Sequence, residues 1–159
     1  MCMYKGIPIA GKYFFALLYS DPGFCQQLGR AVLAAGRLET ELKKLLAAHS
    51  TTHGTKRATL GTLLRLTKEK DLLSKMQSIL EMVKTQRNYL THDVYALLSG
   101  WIEETILEGS NLLDSDVHTY TERALLLADN LNFLADAVER ENSAHNNSLQ
   151  VTAPQGTGG

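Results

Sequence analysis

Apolar residues recur every three or four positions through three long stretches of this 159-residue chain. The stretches cover residues 24–49, 72–98 and 114–141, and each is long enough for a helix of several turns. The chain has only three prolines, and few segments alternate apolar and polar residues as a half-buried strand does. We therefore expect an all-α fold, an antiparallel helical bundle of three to four long helices with additional short helices.

The length suits one domain with a continuous core, which we expect to cover residues 1–141. Its first 23 residues contain two prolines and three glycines and are expected to be irregular. The apolar stretch at residues 12–19 leaves a short helix or an edge strand open. Residues 142–159 are rich in Asn, Ser, Thr and Gly, so we expect a flexible tail.

Single residues predict both ends of one helix. Asp71 is placed to cap a helix that begins at Leu72, and a serine and a glycine at residues 99–100 are placed to end it. A shorter amphipathic helix or turn is expected over residues 59–67. Another short apolar piece is expected over residues 101–113.

Charge is unevenly distributed along the chain. The formal net charge of −1 argues against a protein that coats nucleic acid through bulk electrostatics. Residues 56–87 nevertheless hold eight basic side chains against three acidic ones, whereas residues 101–141 hold ten acidic side chains against two arginines. If these segments lie on different faces, an anionic substrate would be attracted to the basic side. Solvated helix faces that merely differ in charge are the alternative.

Cys2 and Cys25 are the two cysteines, too few for a disulfide framework, which favours a reducing compartment. The apolar stretch from Tyr13 to Tyr19 is too short to cross a bilayer or to form a convincing signal-peptide core. We therefore expect a cytoplasmic protein with no membrane partner.

Arg87 interrupts an apolar helical stripe. At 100° per residue it falls among aliphatic side chains, namely Met76, Leu80, Val83, Leu90, Val94 and Leu97. A guanidinium in such a stripe has to be paired, to reach solvent along its own stem, or to await an anionic ligand. A salt bridge to Glu39 or Glu41 is the structural alternative.

His92 follows Arg87 by five residues. In a regular α-helix the two side chains would be separated by about 140° around the axis and about 7.5 Å along it. The polar or amphipathic residues Asn88, Thr91 and Tyr95 lie between them in angle.

The hexapeptide R-N-Y-L-T-H at residues 87–92 resembles the motif of the HEPN superfamily, an arginine, four to six residues and a histidine on the third long helix of a small α-bundle. The asparagine directly after the arginine also fits the family. The resemblance implies a metal-independent endoribonuclease without a cofactor, active as a homodimer with a composite site. It further implies a toxin or phage-defence effector, with a possible antitoxin partner.

The same resemblance implies roles for individual residues. His92 would be the general base that takes the 2′-hydroxyl proton, because histidine exchanges protons near neutral pH. Arg87 would contact the phosphate, and Asn88 would orient the imidazole or bind substrate. The products would carry 2′,3′-cyclic phosphate and 5′-hydroxyl ends.

Lys84, Thr91 and Tyr95 are the expected substrate-binding residues around this motif. One branch of the family has a tyrosine two residues after the histidine, where a partner antitoxin attaches a nucleotide. Here Val94 holds that place and Tyr95 is one residue late. We therefore expect Tyr95 to pack or stack near the site and not to be modified.

Two other functions remain open. The chain would then be a non-catalytic helical module that binds a protein or a nucleotide, or an antitoxin or immunity protein whose acidic 101–141 segment mimics nucleic acid. No metal site is expected, since no cysteine or carboxylate completes a ligand set with His49 and His53 at a workable spacing.

Overall fold

A computed structural model describes residues 8–51, 54–98 and 117–151. Every regular element in these ranges is helical, and no strand occurs among them, so the all-α prediction is confirmed. The α-helices are α1 (Pro8–Ser20), α2 (Pro22–Ala48), α3 (Leu60–Glu69), α4 (Gln77–Asn88), α5 (Val94–Leu98) and α6 (Val117–Val151). A 3-10 turn (Ser74–Met76) precedes α4, and a π-helical turn (Tyr89–Asp93) joins α4 to α5.

The N-terminal segment is helical from Pro8, so the expectation of an irregular segment over residues 1–23 is wrong for residues 8–20. Of the two open alternatives for the apolar stretch, the helix is observed. Asp21 separates α1 from α2 and caps α2, since its Oδ1 accepts a hydrogen bond from the Phe24 amide at 2.6 Å. Pro22 fits the first turn of α2, where its missing N–H has no helical partner to lose.

The two longest helices, α2 and α6, pack against each other in parallel. Arg37 Nη2 lies 2.6 Å from Asp136 Oδ1, and further along both helices the rings of His49 and His145 have centroids 4.8 Å apart. The expected antiparallel arrangement is therefore wrong for this pair. The α4–α5 stretch runs back to the end of the bundle where α2 begins, since Val94 and Tyr95 line a pocket together with Phe24 and Cys25.

The connection between α3 and α4 makes an antiparallel hairpin. Gln77 Nε2 donates to Thr67 Oγ1 at 3.2 Å, while a Cβ on Gly61 would lie 3.7 Å from Lys84 Cδ, at the other end of α3. Antiparallel packing thus holds for this pair. Thr59 begins α3 as its N-cap, as expected from the sequence segment 59–67.

Asp71 does not cap α4. It has a φ of 55° and follows the C-cap residue Lys70 of α3. The amides of Asp71 and Leu72 donate to Lys68 O at 3.0 Å and Thr67 O at 2.8 Å, which is the Schellman arrangement at a helix C-terminus. The predicted cap is wrong because a short polar side chain also tolerates the left-handed conformation that ends a helix.

All six α-helices contribute to the core, which is built around the α2–α6 pair. Its most completely buried large side chains are Leu18, Leu38, Leu42, Leu46, Leu60, Leu63, Leu64, Leu80, Val83, Tyr120, Leu131 and Leu134. Most come from the apolar stripes that the sequence pattern identifies. The α4 stripe is confirmed at Leu80 and Val83, and it continues through Leu90 in the π turn and Val94 at the start of α5.

The last helix continues beyond the expected end of the domain. α6 runs to Val151, so the first ten residues of the expected tail are helical. Asn142 binds the core side of α2 through Glu41. The expected short piece over residues 101–113 and the predicted stop at residues 99–100 lie outside the described residues.

Candidate functional site

The motif lies where α4 passes into the π turn. Arg87 and Asn88 are the last residues of α4, and Thr91 and His92 belong to the π turn. The Val94 amide donates to Tyr89 O, the i→i+5 hydrogen bond that defines such a turn. Since a π turn rotates fewer degrees per residue than an α-helix, we expect His92 to lie closer in angle to Arg87 than in a regular helix.

Tyr89, the first residue of the π turn, packs against α6. Tyr89 and Leu90 are both buried, and the Tyr89 hydroxyl lies 3.1 Å from the Tyr120 hydroxyl of α6. The Phe14 ring of α1 packs edge-on against Tyr120 with centroids 5.4 Å apart. Tyr89 thus contacts α6 from the π turn, and Leu90 and Val94 pack in the core.

Arg87 is half-buried, as its place in the apolar stripe predicts. Its Nη1 donates to the Asn88 side-chain oxygen at 3.1 Å, and its carbonyl accepts a hydrogen bond from Thr91 Oγ1 at 2.8 Å. Within the three described ranges Arg87 forms no ion pair. No carboxylate in this part of the chain therefore lies within ion-pair distance of its guanidinium.

The salt bridge proposed as a structural alternative is not formed. Glu39 Oε1 accepts a hydrogen bond from the Leu60 amide at 3.1 Å at the start of α3. Glu41 is buried and binds Lys44 Nζ at 2.7 Å and Asn142 Nδ2 at 3.1 Å. Both carboxylates are thus used elsewhere.

His92 is exposed, and it lies at an apolar pocket between α1, the first turns of α2 and the π turn. Thr91 and Tyr95 line the same pocket, whereas Arg87 and Asn88 do not. A single chain therefore places the imidazole and the guanidinium on neighbouring sectors of one helical stretch, without bringing both into this pocket.

The other expected substrate contacts have different surroundings. Tyr95 is half exposed, and its ring packs edge-on against Phe15 with centroids 4.7 Å apart. Tyr95 therefore packs beside the pocket that His92 lines. Lys84 forms an ion pair with Glu81 one turn earlier on α4 and lies on the side that faces Gly61 of α3.

Burial raises the pKa of the Tyr89 phenol well above its ordinary value, and the neighbouring Tyr120 hydroxyl adds to the effect. Tyr89 therefore stays protonated at working pH. Sequence reasoning assigned no role to Tyr89 or Phe15, because their apolar character marks them only as core residues. The position of Tyr89 inside the R-N-Y-L-T-H motif was the one sequence signal that could have indicated a role for it.

Some of the charges that made the sequence segments distinct form ion pairs. Arg65 binds Glu69 on α3 at 2.5 Å, and Arg37 binds Asp136 and Glu139 of α6. In the described part of the chain, no three His, Cys, Asp or Glu side chains form a group that could hold a metal ion. His53, which was considered with His49 as a metal ligand, lies outside the described residues.

None of the described helices combines the length and the apolar character that a bilayer-spanning helix requires. In comparisons with known proteins, no family model, no curated protein and no solved structure matches this chain.

Proposed function

We propose that the chain is a metal-independent endoribonuclease of the HEPN type, active as a homodimer with a composite site of Arg87 and His92. The observation that carries this proposal is a half-buried guanidinium without a carboxylate partner among the described residues, five positions before an exposed imidazole. A cation kept in this state is available to an external anion such as a phosphodiester.

In the proposed reaction His92 and Arg87 have one role each. His92 takes the proton of the RNA 2′-hydroxyl, and the 2′-oxygen attacks the adjacent phosphorus. The bond from phosphorus to the 5′-oxygen breaks, that oxygen takes up a proton from water, and His92 returns its proton to the solvent. Arg87 offsets the charge that builds on the phosphoryl oxygens. The products carry 2′,3′-cyclic phosphate and 5′-hydroxyl ends.

A dimer provides what one chain lacks. Arg87 and His92 occupy different sectors of the same helical stretch, and only His92 lines the pocket. A second copy facing this stretch would bring its own guanidinium opposite the imidazole. Asn88 holds the guanidinium from one side, and Lys84, Thr91 and Tyr95 are the proposed substrate contacts around it.

The biological setting that we propose is a cytoplasmic toxin or phage-defence effector, with an antitoxin as a possible protein partner. Expression of the wild type should then arrest growth of the host, whereas the Arg87→Ala variant should not.

The decisive experiment measures RNA cleavage by purified wild type, Arg87→Ala and His92→Ala. Both variants should lose cleavage while helicity and dimer mass stay unchanged. Arg30→Ala and His118→Ala are matched controls, since both side chains are exposed and lie on other helices. Wild-type protein that cuts no RNA at any concentration, or variants that cut as fast as wild type, would overturn the proposal.

Mixing the two inactive variants tests the composite site directly. A heterodimer of Arg87→Ala and His92→Ala retains one intact pair if the arginine and histidine come from different chains, and none if they come from the same chain. Partial recovery of cleavage on mixing is therefore expected. Continued inactivity after proven subunit exchange would exclude the trans arrangement.

A second candidate is a non-catalytic helical module that binds a protein. It is favoured by large apolar side chains that remain exposed on the long helices, namely Leu33, Leu126 and Phe133. This candidate predicts a stable complex without RNA cleavage, and the Arg87→Ala variant would then retain the wild-type phenotype.

A further inference from the structure

The pocket beside His92 has an aromatic rim. Phe15 and Tyr19 of α1 are neighbours with ring centroids 6.4 Å apart, and Tyr95 of α5 packs edge-on against Phe15 from the other side. Tyr19 is 77 % exposed and Tyr95 50 % exposed, so both rings have surface available to a ligand. Leu28 and Leu90 contribute to the apolar lining.

The size of this pocket restricts its ligand. Its volume is about 220 Å³, below the range of roughly 300–1,000 Å³ that pockets for drug-sized molecules occupy. An apolar pocket of this volume with aromatic residues in its lining has room for about one ring system. A peptide helix or a second protein surface is too large to enter it.

Few polar groups reach the pocket. The Thr91 hydroxyl already donates to the Arg87 carbonyl at 2.8 Å, and the Cys25 thiol donates to the Tyr19 carbonyl at 3.3 Å. The His92 imidazole remains exposed at the edge. Stacking and apolar contacts would hold a ring bound here. Few hydrogen bonds would form with the edges of the ring.

We infer that this pocket binds a nucleobase of the RNA next to the scissile phosphate, with His92 at the junction between base and ribose. This inference rests on the proposed function, because it places the base pocket beside the group that takes the 2′-hydroxyl proton. Aromatic rings are a common way for proteins to bind unpaired bases. Since stacking tolerates every base, cleavage should show weak sequence preference at this position.

Binding can be measured without any cleavage, with adenosine monophosphate as the probe and the full wild-type chain. Cys25 is exposed and lines the pocket, so bound nucleotide should slow its alkylation by iodoacetamide. Peptide mass spectrometry separates Cys25 from Cys2. Ribose 5-phosphate, which has the sugar and phosphate without the base, should give no protection.

Cleavage provides the second measurement. Leu28→Trp fills the pocket from α2, and Tyr95→Ala removes an exposed ring of its rim. Each should lower RNA cleavage roughly five- to hundredfold, the range expected for one base stack. Ala47→Trp introduces the same ring at an exposed position of α2 away from the pocket and should cleave at the wild-type rate.

The outcomes separate the pocket from the proposed enzyme activity. If wild type cleaves RNA, but neither variant slows cleavage and adenosine monophosphate does not protect Cys25, the base pocket is wrong and the nuclease remains. Equal protection by ribose 5-phosphate would also overturn it. If no RNA is cleaved while the mononucleotide protects Cys25 and Leu28→Trp removes that protection, the nuclease fails and a nucleotide-binding pocket stands.

Discussion

The Arg87 guanidinium donates a hydrogen bond to the side-chain oxygen of Asn88, its neighbour in sequence, at 3.1 Å. A neutral amide orients the guanidinium without cancelling its charge. A carboxylate in the same place would form an ion pair and compete with any phosphate for the same donors.

The Asn88→Asp variant tests this relationship. The new carboxylate should pair with Arg87 and compete with the phosphate for its donors. Because such a charge-assisted hydrogen bond contributes more than about 1.4 kcal/mol, RNA cleavage should fall by at least about tenfold. Asn88→Ala, which frees the guanidinium without adding charge, should lose less activity. Cleavage rates measured at low and high salt would check the electrostatic cause. An Asn88→Asp enzyme as active as wild type would contradict it.

Tyr89 supplies a second test, on stability. Tyr89→Phe leaves the buried Tyr120 hydroxyl without its 3.1 Å partner and should lower the free energy of unfolding by about 1–2 kcal/mol. Tyr13→Phe is the control, because Tyr13 is exposed. Urea denaturation followed by circular dichroism gives both values. Equal stability of Tyr89→Phe and wild type would show that the hydroxyl pair contributes nothing.

The same tyrosine predicts a pH dependence. Burial raises the pKa of Tyr89 in the folded state above the ordinary value of 10.0, so the unfolded chain loses this proton first as pH rises. The contribution of Tyr89 is therefore complete below about pH 10 and declines above it. Wild type should lose stability more steeply than Tyr89→Phe between about pH 9 and pH 11. Parallel curves for the two proteins would contradict the raised pKa.

Helix α2 could be predicted closely from the sequence, because its apolar spacing continues without a break over Pro22–Ala48. The parallel packing of α2 and α6 could not be predicted. The pairs that show it, such as Arg37 with Asp136, are exposed charged residues that look like any solvated surface in a sequence. Periodicity identifies the buried face of each helix and says nothing about the direction of its neighbour.

The half-burial of Arg87 followed from its position in the stripe, since periodicity alone fixes which sector a helical residue occupies. The π turn did not follow from the sequence, because periodicity assumes a regular helix and does not place Tyr89 beside Tyr120, a residue 31 positions away. The pocket was missed for the same reason. Phe15 and Tyr95 meet only after α1 has packed against α5.

Ser50 offers a stabilising substitution. It has a φ of 63° just after α2, and its amide and that of Thr51 donate to Ala47 O and Leu46 O in a second Schellman arrangement. Ser50→Gly should raise stability by about 1 kcal/mol, because glycine adopts this conformation without the steric penalty of a side chain. Thermal unfolding measures the gain. Ser50→Ala is the control and should not stabilise; a gain there as large as with glycine would show that φ is not the cause.

Asn142 should be required for the attachment of the extended part of α6. Its Nδ2 donates at 3.1 Å both to the carbonyl of Glu41 and to the carboxylate of that residue, whose side chain is buried. Asn142→Ala should lower the free energy of unfolding by about 1–3 kcal/mol, since it leaves a buried carboxylate with fewer donors. Asn142→Asp should lower the free energy of unfolding further, because two carboxylates would then face each other.

Ser143→Ala changes the next residue, which is exposed, and is the matched control. Hydrogen exchange of the amides that follow residue 142 should accelerate in Asn142→Ala and not in the control. If exchange stays unchanged while global stability falls, the contact supports the core of the bundle and does not hold the end of α6 against α2.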